Sequence, residues 1–219
     1  MTIRILIVDD HPVARDGLAA WIATQPDMCV CGEASNSTQA AELLKTQHPD
    51  VVVLDIQLEA GSGLHFIAQI KNFNESIGIL VWSMFGDEIY AERALQAGAL
   101  GYINKQQATN RIAEAIRRVH VGRIFLSEEM AEKILASSTG NRKLHRGCGA
   151  ERLTNLEFEV FRLIGEGLTT SQIADSLHRS VHTVESHRTH IKDKLGLKTA
   201  GELCRTAVQW MLENHGQRN

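Results

Sequence analysis

Within the first 120 residues, short apolar runs alternate five times with stretches of helical period, and no other feature narrows the fold as far. Residues 3–8, 28–34, 50–56, 77–84 and 101–105 read as strands. Helical spacing follows each of them, over 13–22, 38–47, 64–73, 87–97 and 108–119. The run DVVVLDI at 50–56 is β-branched, and too short and continuous for a surface helix. Five such units with near-uniformly apolar strands predict a five-stranded parallel, doubly wound sheet of the flavodoxin-like kind, an α/β domain with helices on both faces. Ligand chemistry in an open α/β sheet belongs at the carboxyl ends of the strands. Those ends carry Asp9 and Asp10, then Asp55, then Ser83, then Lys105.

The residue types at that rim set the chemistry. Clustered carboxylates repel one another unless a divalent cation neutralises them. Hard oxygen ligands with open positions suit Mg²⁺, which keeps waters and a phosphate oxygen among its ligands. A carboxylate beside such an ion can attack phosphorus and become an acyl phosphate. Lys105 and Ser83 would then hold the phosphoryl oxygens. One polar residue at a strand end is ordinarily a turn-former; five from four strands, of complementary types, are a site.

Charge is unevenly divided. Residues 1–120 hold 9 Lys and Arg against 14 Asp and Glu, whereas residues 151–219 hold 9 against 9, with five of the ten histidines. The acidic part is a poor binder of polyanions, and the remainder is not repelled by one. No apolar run approaches the roughly 18 residues that cross a bilayer. MTIRILIVDD also places two carboxylates where the apolar core of a signal peptide would continue, so the expected location is cytoplasmic, with no membrane partner. Cys29, Cys31, Cys148 and Cys204 have no Cys/His neighbours at zinc spacing and read as free thiols.

Beyond residue 122 the pattern changes. Residues 127–136 (SEEMAEKILA) read as a short helix, and 137–149 (SSTGNRKLHRGCG) as a polar tether whose Arg142, Lys143, His145 and Arg146 read as solvated linker charge, with contact to phosphates as the alternative. Thr154-x-x-Glu157, Thr169-x-x-Gln172 and Thr199-x-x-Glu202 are capping-box patterns, each opening a helix, and Ser180 caps a fourth. Apolar residues then recur at helical spacing: Leu156, Val160, Leu163 and Ile164; Ile173, Ala174 and Leu177; Val184, Ile191 and Leu195; Leu203, Ala207 and Met211. Only His178-Arg179-Ser180 separates the second and third helices. That spacing predicts an all-α, four-helix unit containing a helix-turn-helix, with a His-, Arg- and Lys-rich third helix suited to DNA. The domains expected are 1–122, a linker with a short helix at 123–150, and 151–219.

The acids at 9, 10 and 55 with Ser83 and Lys105 resemble the receiver domain of two-component response regulators. The pattern LT..E.EV...I..G....QIA..L..S..TVE.H...I..KLG at 153–196 resembles the LuxR-type domain of the NarL/FixJ group. The resemblance implies a response regulator transcription factor, not an enzyme. Asp55 would accept phosphate from a sensor histidine kinase, with Asp9, Asp10, Asp55 and the Gln57 backbone carbonyl around Mg²⁺. Ser83 and Tyr102 would form the switch. The third helix would lie in the major groove, with Glu185, Ser186 and Thr189 towards base edges and Thr183, Arg188, Lys192 and Lys194 towards phosphates. His187 is a typical family residue and could serve the domain's own structure. The last helix would form a homodimer on double-stranded promoter DNA, and RNA polymerase is a further candidate partner. The chain departs from the family at residues 58–63, where Met-Pro is usual and Glu59 stands instead, and at Glu185, where a basic residue is usual. An aspartyl-nucleophile phosphatase would also place an aspartate after a parallel strand. It needs a second acid, for which Glu59 is the candidate, and a substrate cap where this chain has a helix-turn-helix. A receiver that only dimerises is the other alternative, and the complete residue set argues against it.

Overall fold

The structure is a computed structural model that describes residues 2–58, 63–84, 88–105, 111–138 and 149–215. The chain forms two compact units, Met1–Leu135 and Ala136–Asn219.

The first unit holds one sheet of strands β1 (Ile3–Val8), β2 (Met28–Ala34), β3 (Val51–Leu54), β4 (Gly78–Ser83) and β5 (Gly101–Asn104). All neighbours are parallel, in the order β2-β1-β3-β4-β5, the flavodoxin-like arrangement with its switch point between β1 and β3. Successive strand residues point to opposite faces. Ile3, Ile5, Ile7, Val51, Val53 and Leu80 pack against Leu18 and Ile22 of α1 (Pro12–Ile22) and Ile112, Ile116 and Val119 of α5 (Ile112–His120). The alternate residues face the layer of α2 (Ser37–Gln47), α3 (Gly63–Phe73) and α4 (Glu88–Gln96). β3 is shorter than the apolar run suggested. Asp50 and Asp55 flank its ladder, Asp50 accepting the Arg4 N–H at 2.8 Å and Asp55 donating its own N–H to the Val8 carbonyl at 2.8 Å. Helix α2 starts at Ser37 because Asn36 caps it, accepting from the Gln39 N–H at 2.9 Å.

After α5 the chain returns to the sheet. Phe125, 3% exposed, forms a single parallel bridge with Gly101; the Tyr102 N–H donates to its carbonyl at 3.1 Å, and its own N–H to Leu100 at 2.8 Å. Helix α6 (Glu128–Ser138) follows.

From residue 149 onwards the described part of the second unit begins with a 3₁₀ turn at Ala150–Arg152. Four helices follow: α7 (Asn155–Gly165), α8 (Thr170–Ser176), α9 (Val181–Leu195) and α10 (Ala200–His215). The capping boxes of α7 and α8 are complete, with Thr154 and Glu157 bonded reciprocally, as are Thr169 and Gln172. At α10 the Glu202 N–H donates to the Thr199 hydroxyl, while the Glu202 carboxylate takes the Lys198 N–H instead of the cap residue's own. The turn into α9 passes through His178 at φ 51°, and the Arg179 N–H closes it on the Ala174 carbonyl at 2.9 Å. Aromatics lock the core: Trp210 meets Phe158 edge-on at 5.2 Å and Phe161 at 5.9 Å. No helix among the described residues is long and apolar enough to cross a membrane.

Candidate functional site

The rim expected to carry chemistry is assembled by the strand ends. β1 delivers Asp9 and Asp10, β3 Asp55, β4 Ser83, and β5 Lys105. Asp9 and Ser83 are fully buried and Asp55 nearly so. Lys105 reaches across the rim, its Nζ 2.6 Å from Asp9 Oδ2 and 2.5 Å from Asp55 Oδ2, and lies 5.0 Å from the centre of the Trp82 ring. The Gln57 N–H donates to Asp55 Oδ1 at 3.1 Å. Gly63 keeps this turn tight: a Cβ there would lie 2.5 Å from the Ile56 carbonyl oxygen, so only glycine lets α3 begin against the backbone next to Asp55. Tyr102 is buried on β5, paired in register with Val81. Glu59 lies outside the described residues, as do Arg142, Lys143, His145, Arg146 and Cys148 of the expected tether.

Burial pushes the Asp55 carboxyl above the ordinary carboxylate range. Lys105 pulls it back through charge and hydrogen bond, Asp9 pushes it up again, and the Gln57 amide pulls it down; the balance stays raised. Asp9, Asp10, His11 and Asp55 can each offer a ligand atom within 4.8 Å of the others. His11 is the residue that sequence reasoning missed. Its Nδ1 lies 2.6 Å from Asp10 Oδ1 and 3.5 Å from Asp9 Oδ1. The available signal was Pro12 at the first helical position, which makes His11 the cap and keeps it on the rim. Arg15 was also missed; its guanidinium donates to the Asp9 carbonyl at 2.7 Å.

In the second unit, Val184 and Ile191 turn α9 inward. Glu185 and Thr189 are exposed, and Thr183, Ser186, Arg188, Lys192 and Lys194 are partly so. Glu185 accepts from the Thr170 hydroxyl of α8 at 2.8 Å, and Arg188 approaches it at 3.9 Å. The Ser186 and Thr189 hydroxyls donate back to the helix, to His182 and Glu185 carbonyls, which leaves oxygen lone pairs for a further donor. Thr183 shares a 2.8 Å hydrogen bond with Ser180 at the cap. Lys194 lies 2.6 Å from Glu157 Oε2. Burial pushes Glu157 up, but its bonds from Lys194 and Thr154 outweigh that and hold the carboxyl below its usual value.

A parallel 2-1-3-4-5 sheet with this acidic, lysine-bridged rim, followed by a helix-turn-helix, defines a signal-receiving DNA-binding protein. The response regulator receiver domain matches residues 5–117, and the luxR family of bacterial regulatory proteins matches 151–207. The transcriptional regulatory protein LiaR of Bacillus subtilis (strain 168) is 36% identical over 88% of this chain and 90% of its own. The oxygen regulatory protein NreC of Staphylococcus aureus (strain bovine RF122 / ET3-1) is 33% identical over 94% and 97%. Among solved structures, RcsB from Salmonella enterica serovar Typhimurium, bound to promoter rprA in the presence of the phosphomimetic BeF3⁻, superposes with a TM-score of 0.70. It is 25% identical, over 95% of this chain and 99% of that one. The chain belongs to the two-component response regulators of the NarL/FixJ type, transcription factors that join a receiver domain to a luxR-type helix-turn-helix. The family is one of DNA-binding regulators rather than enzymes. Its members receive their signal from a kinase, and its receiver domains generally bind Mg²⁺ at the phosphorylation site.

Proposed function

We propose that Asp55 is the phosphoacceptor and that its phosphorylation by a sensor histidine kinase raises the affinity of α9 for promoter DNA. The observation that carries this reading is Lys105, whose ammonium bridges Asp9 and Asp55 on the carboxyl rim. An oxygen of the Asp55 carboxylate forms the new bond to phosphorus. The bond from phosphorus to the kinase imidazole nitrogen breaks, and that nitrogen leaves with its electron pair. Lys105 and the Ser83 hydroxyl hold phosphoryl oxygens as charge develops on them. The donor set fits Mg²⁺: hard carboxylate oxygens of Asp9, Asp10 and Asp55, close enough to share one ion, with the Gln57 backbone carbonyl completing the protein's share. When bound, the ion neutralises these carboxylates and the incoming phosphoryl oxygens. Ser83 and Tyr102, both buried on neighbouring strands, are the switch pair, the hydroxyl moving to the phosphoryl group and the ring repacking in response.

On the DNA side, Glu185, Ser186 and Thr189 face base edges and Thr183, Arg188 and Lys192 face phosphates, whereas Lys194 is held by Glu157 at 2.6 Å and is not among the phosphate contacts. Dimerisation through α10 on paired half-sites, in the cytoplasm, compensates for the near-neutral charge of residues 151–219. RNA polymerase is the proposed downstream partner, and 1–122, 123–150 and 151–219 are the proposed domain boundaries. The test is incubation with acetyl phosphate and Mg²⁺, read by intact mass and by DNA binding. A single phosphoryl adduct is expected on wild type and none on Asp55→Ala. An equal adduct on the variant would overturn the assignment, and identical DNA affinity with and without the adduct would overturn the switch.

A further inference from the structure

We infer that Glu157, His187 and His190 form a binding site for a divalent transition metal, zinc by its chemistry, which fastens α9 to the start of α7. The three residues offer ligand atoms within 4.8 Å of one another. His187 and His190 stand three apart on α9, the spacing that sets two side chains on one helical flank; their rings are 6.4 Å apart, nearly perpendicular. This flank, shared with Lys194, is the one that meets Glu157; Glu185 and Thr189 lie on another side of the helix.

Glu157 is already oriented. Its Oε2 accepts from the Thr154 N–H at 2.8 Å and from Lys194 at 2.6 Å, while Oε1 faces His190 Nδ1 at 4.0 Å, too far for a hydrogen bond. One oxygen is therefore held by the protein and the other is turned towards the imidazoles. Lys194 and Thr154 would stay on Oε2 as the outer partners that orient a ligating carboxylate. Nδ1 of His187 is buried and has no hydrogen-bond partner among the described residues, which is costly for a polar nitrogen unless something satisfies it. Two imidazoles and a carboxylate are the donor set of open zinc sites, whose bonds of about 2.0–2.2 Å place donors roughly 3.3 Å apart. His190 is 61% exposed, so rotation of its side chain can close the remaining distance and leave a coordination position to water. Two nitrogen donors against one carboxylate set this site apart from the receiver rim, where three carboxylates stand with the single imidazole of His11 and suit Mg²⁺.

The test is a Co²⁺ titration of the full chain in millimolar Mg²⁺, followed by displacement with Zn²⁺. Visible d–d bands saturating at one equivalent are expected in wild type, lost in His190→Asn and retained in Asp9→Asn. In chelator the His190→Asn protein should melt with wild type, because that side chain is exposed. Zn²⁺ should raise the wild-type melting temperature by roughly 5 °C and leave His190→Asn unmoved. Absence of bands in wild type, undiminished bands in His190→Asn, or bands that need Asp9 would each overturn the site.

Discussion

Lys105 is one ammonium shared by two buried carboxylates, and most of the receiver's behaviour at single residues follows from that arithmetic. Replacing it with methionine leaves Asp9 and Asp55 facing each other without their cation. Breaking a buried ion pair from one side costs about 3 kcal/mol, so Lys105→Met should lose about that much in urea unfolding at neutral pH in chelator. Mg²⁺ should then stabilise the variant more than wild type, because the ion no longer competes with an ammonium. Asp55 makes the converse case. Its carboxyl titrates above the ordinary value of 3.8, chiefly through burial, so the folded protein binds that proton more tightly than the unfolded chain. Stability contributed by this group is therefore present in acid and lost as pH rises from the unfolded value through the folded one. Asp55→Asn removes that loss and should raise the neutral-pH stability of the metal-free protein. The gain should shrink towards zero near pH 4, and thermal melts at both pH values would check it. An equal gain at both would mean that relief of charge is not its source.

The helices show which parts of this fold a reader of sequence can reach. Capping boxes join residues three apart, so Thr154 with Glu157 and Thr169 with Gln172 were legible and form as expected. The alternating strands and the rim residues were legible for a related reason, since a parallel sheet converts strand ends into one shared edge. Long-range packing was not. Nothing local announces that Phe125 returns to pair with Gly101, or that Trp210 turns inward onto Phe158 and Phe161 while Leu156, Leu177, Leu195 and Met211 stay only half-buried. His11 escaped because its role comes from the turn geometry before α1 rather than from a pattern of its own. Gly165 is a similar case, unremarkable in sequence but placed where α7 meets α10. A Cβ there would lie 2.8 Å from the Ala207 carbonyl oxygen and 2.5 Å from Met211 Cγ. Helix propensity alone would make Gly165→Ala stabilising by about 1 kcal/mol. The close approach predicts the opposite sign, a loss of roughly 1–3 kcal/mol as α10 is pushed away. Urea unfolding followed by Trp210 fluorescence decides between them, and a stabilised variant would show that the crossing yields at no cost.

Joining a phosphoryl-accepting unit to a DNA-binding unit matters only if the two share a free energy. Residues 151–219 carry no net charge, so the electrostatic attraction that supplies much of DNA affinity is modest for a single copy. A modest intrinsic affinity is what a switch requires, because a shift in population can then move occupancy of the promoter across its useful range. Coupling of this kind is reciprocal: whatever factor the phosphoryl group adds to DNA binding, DNA must add to phosphoryl binding. Beryllofluoride with Mg²⁺ mimics the acyl phosphate without turning over, so both directions are measurable at equilibrium. With a duplex selected for tight binding from a random pool, beryllofluoride should tighten the DNA complex by roughly 5–150-fold. The same duplex should tighten beryllofluoride binding, followed by Trp82 fluorescence beside Lys105, by the same factor at fixed protein concentration. Asp55→Asn should abolish both effects together. Tightening in one direction alone would break the linkage, and would mean that the phosphoryl mimic acts on DNA binding from a site other than this rim.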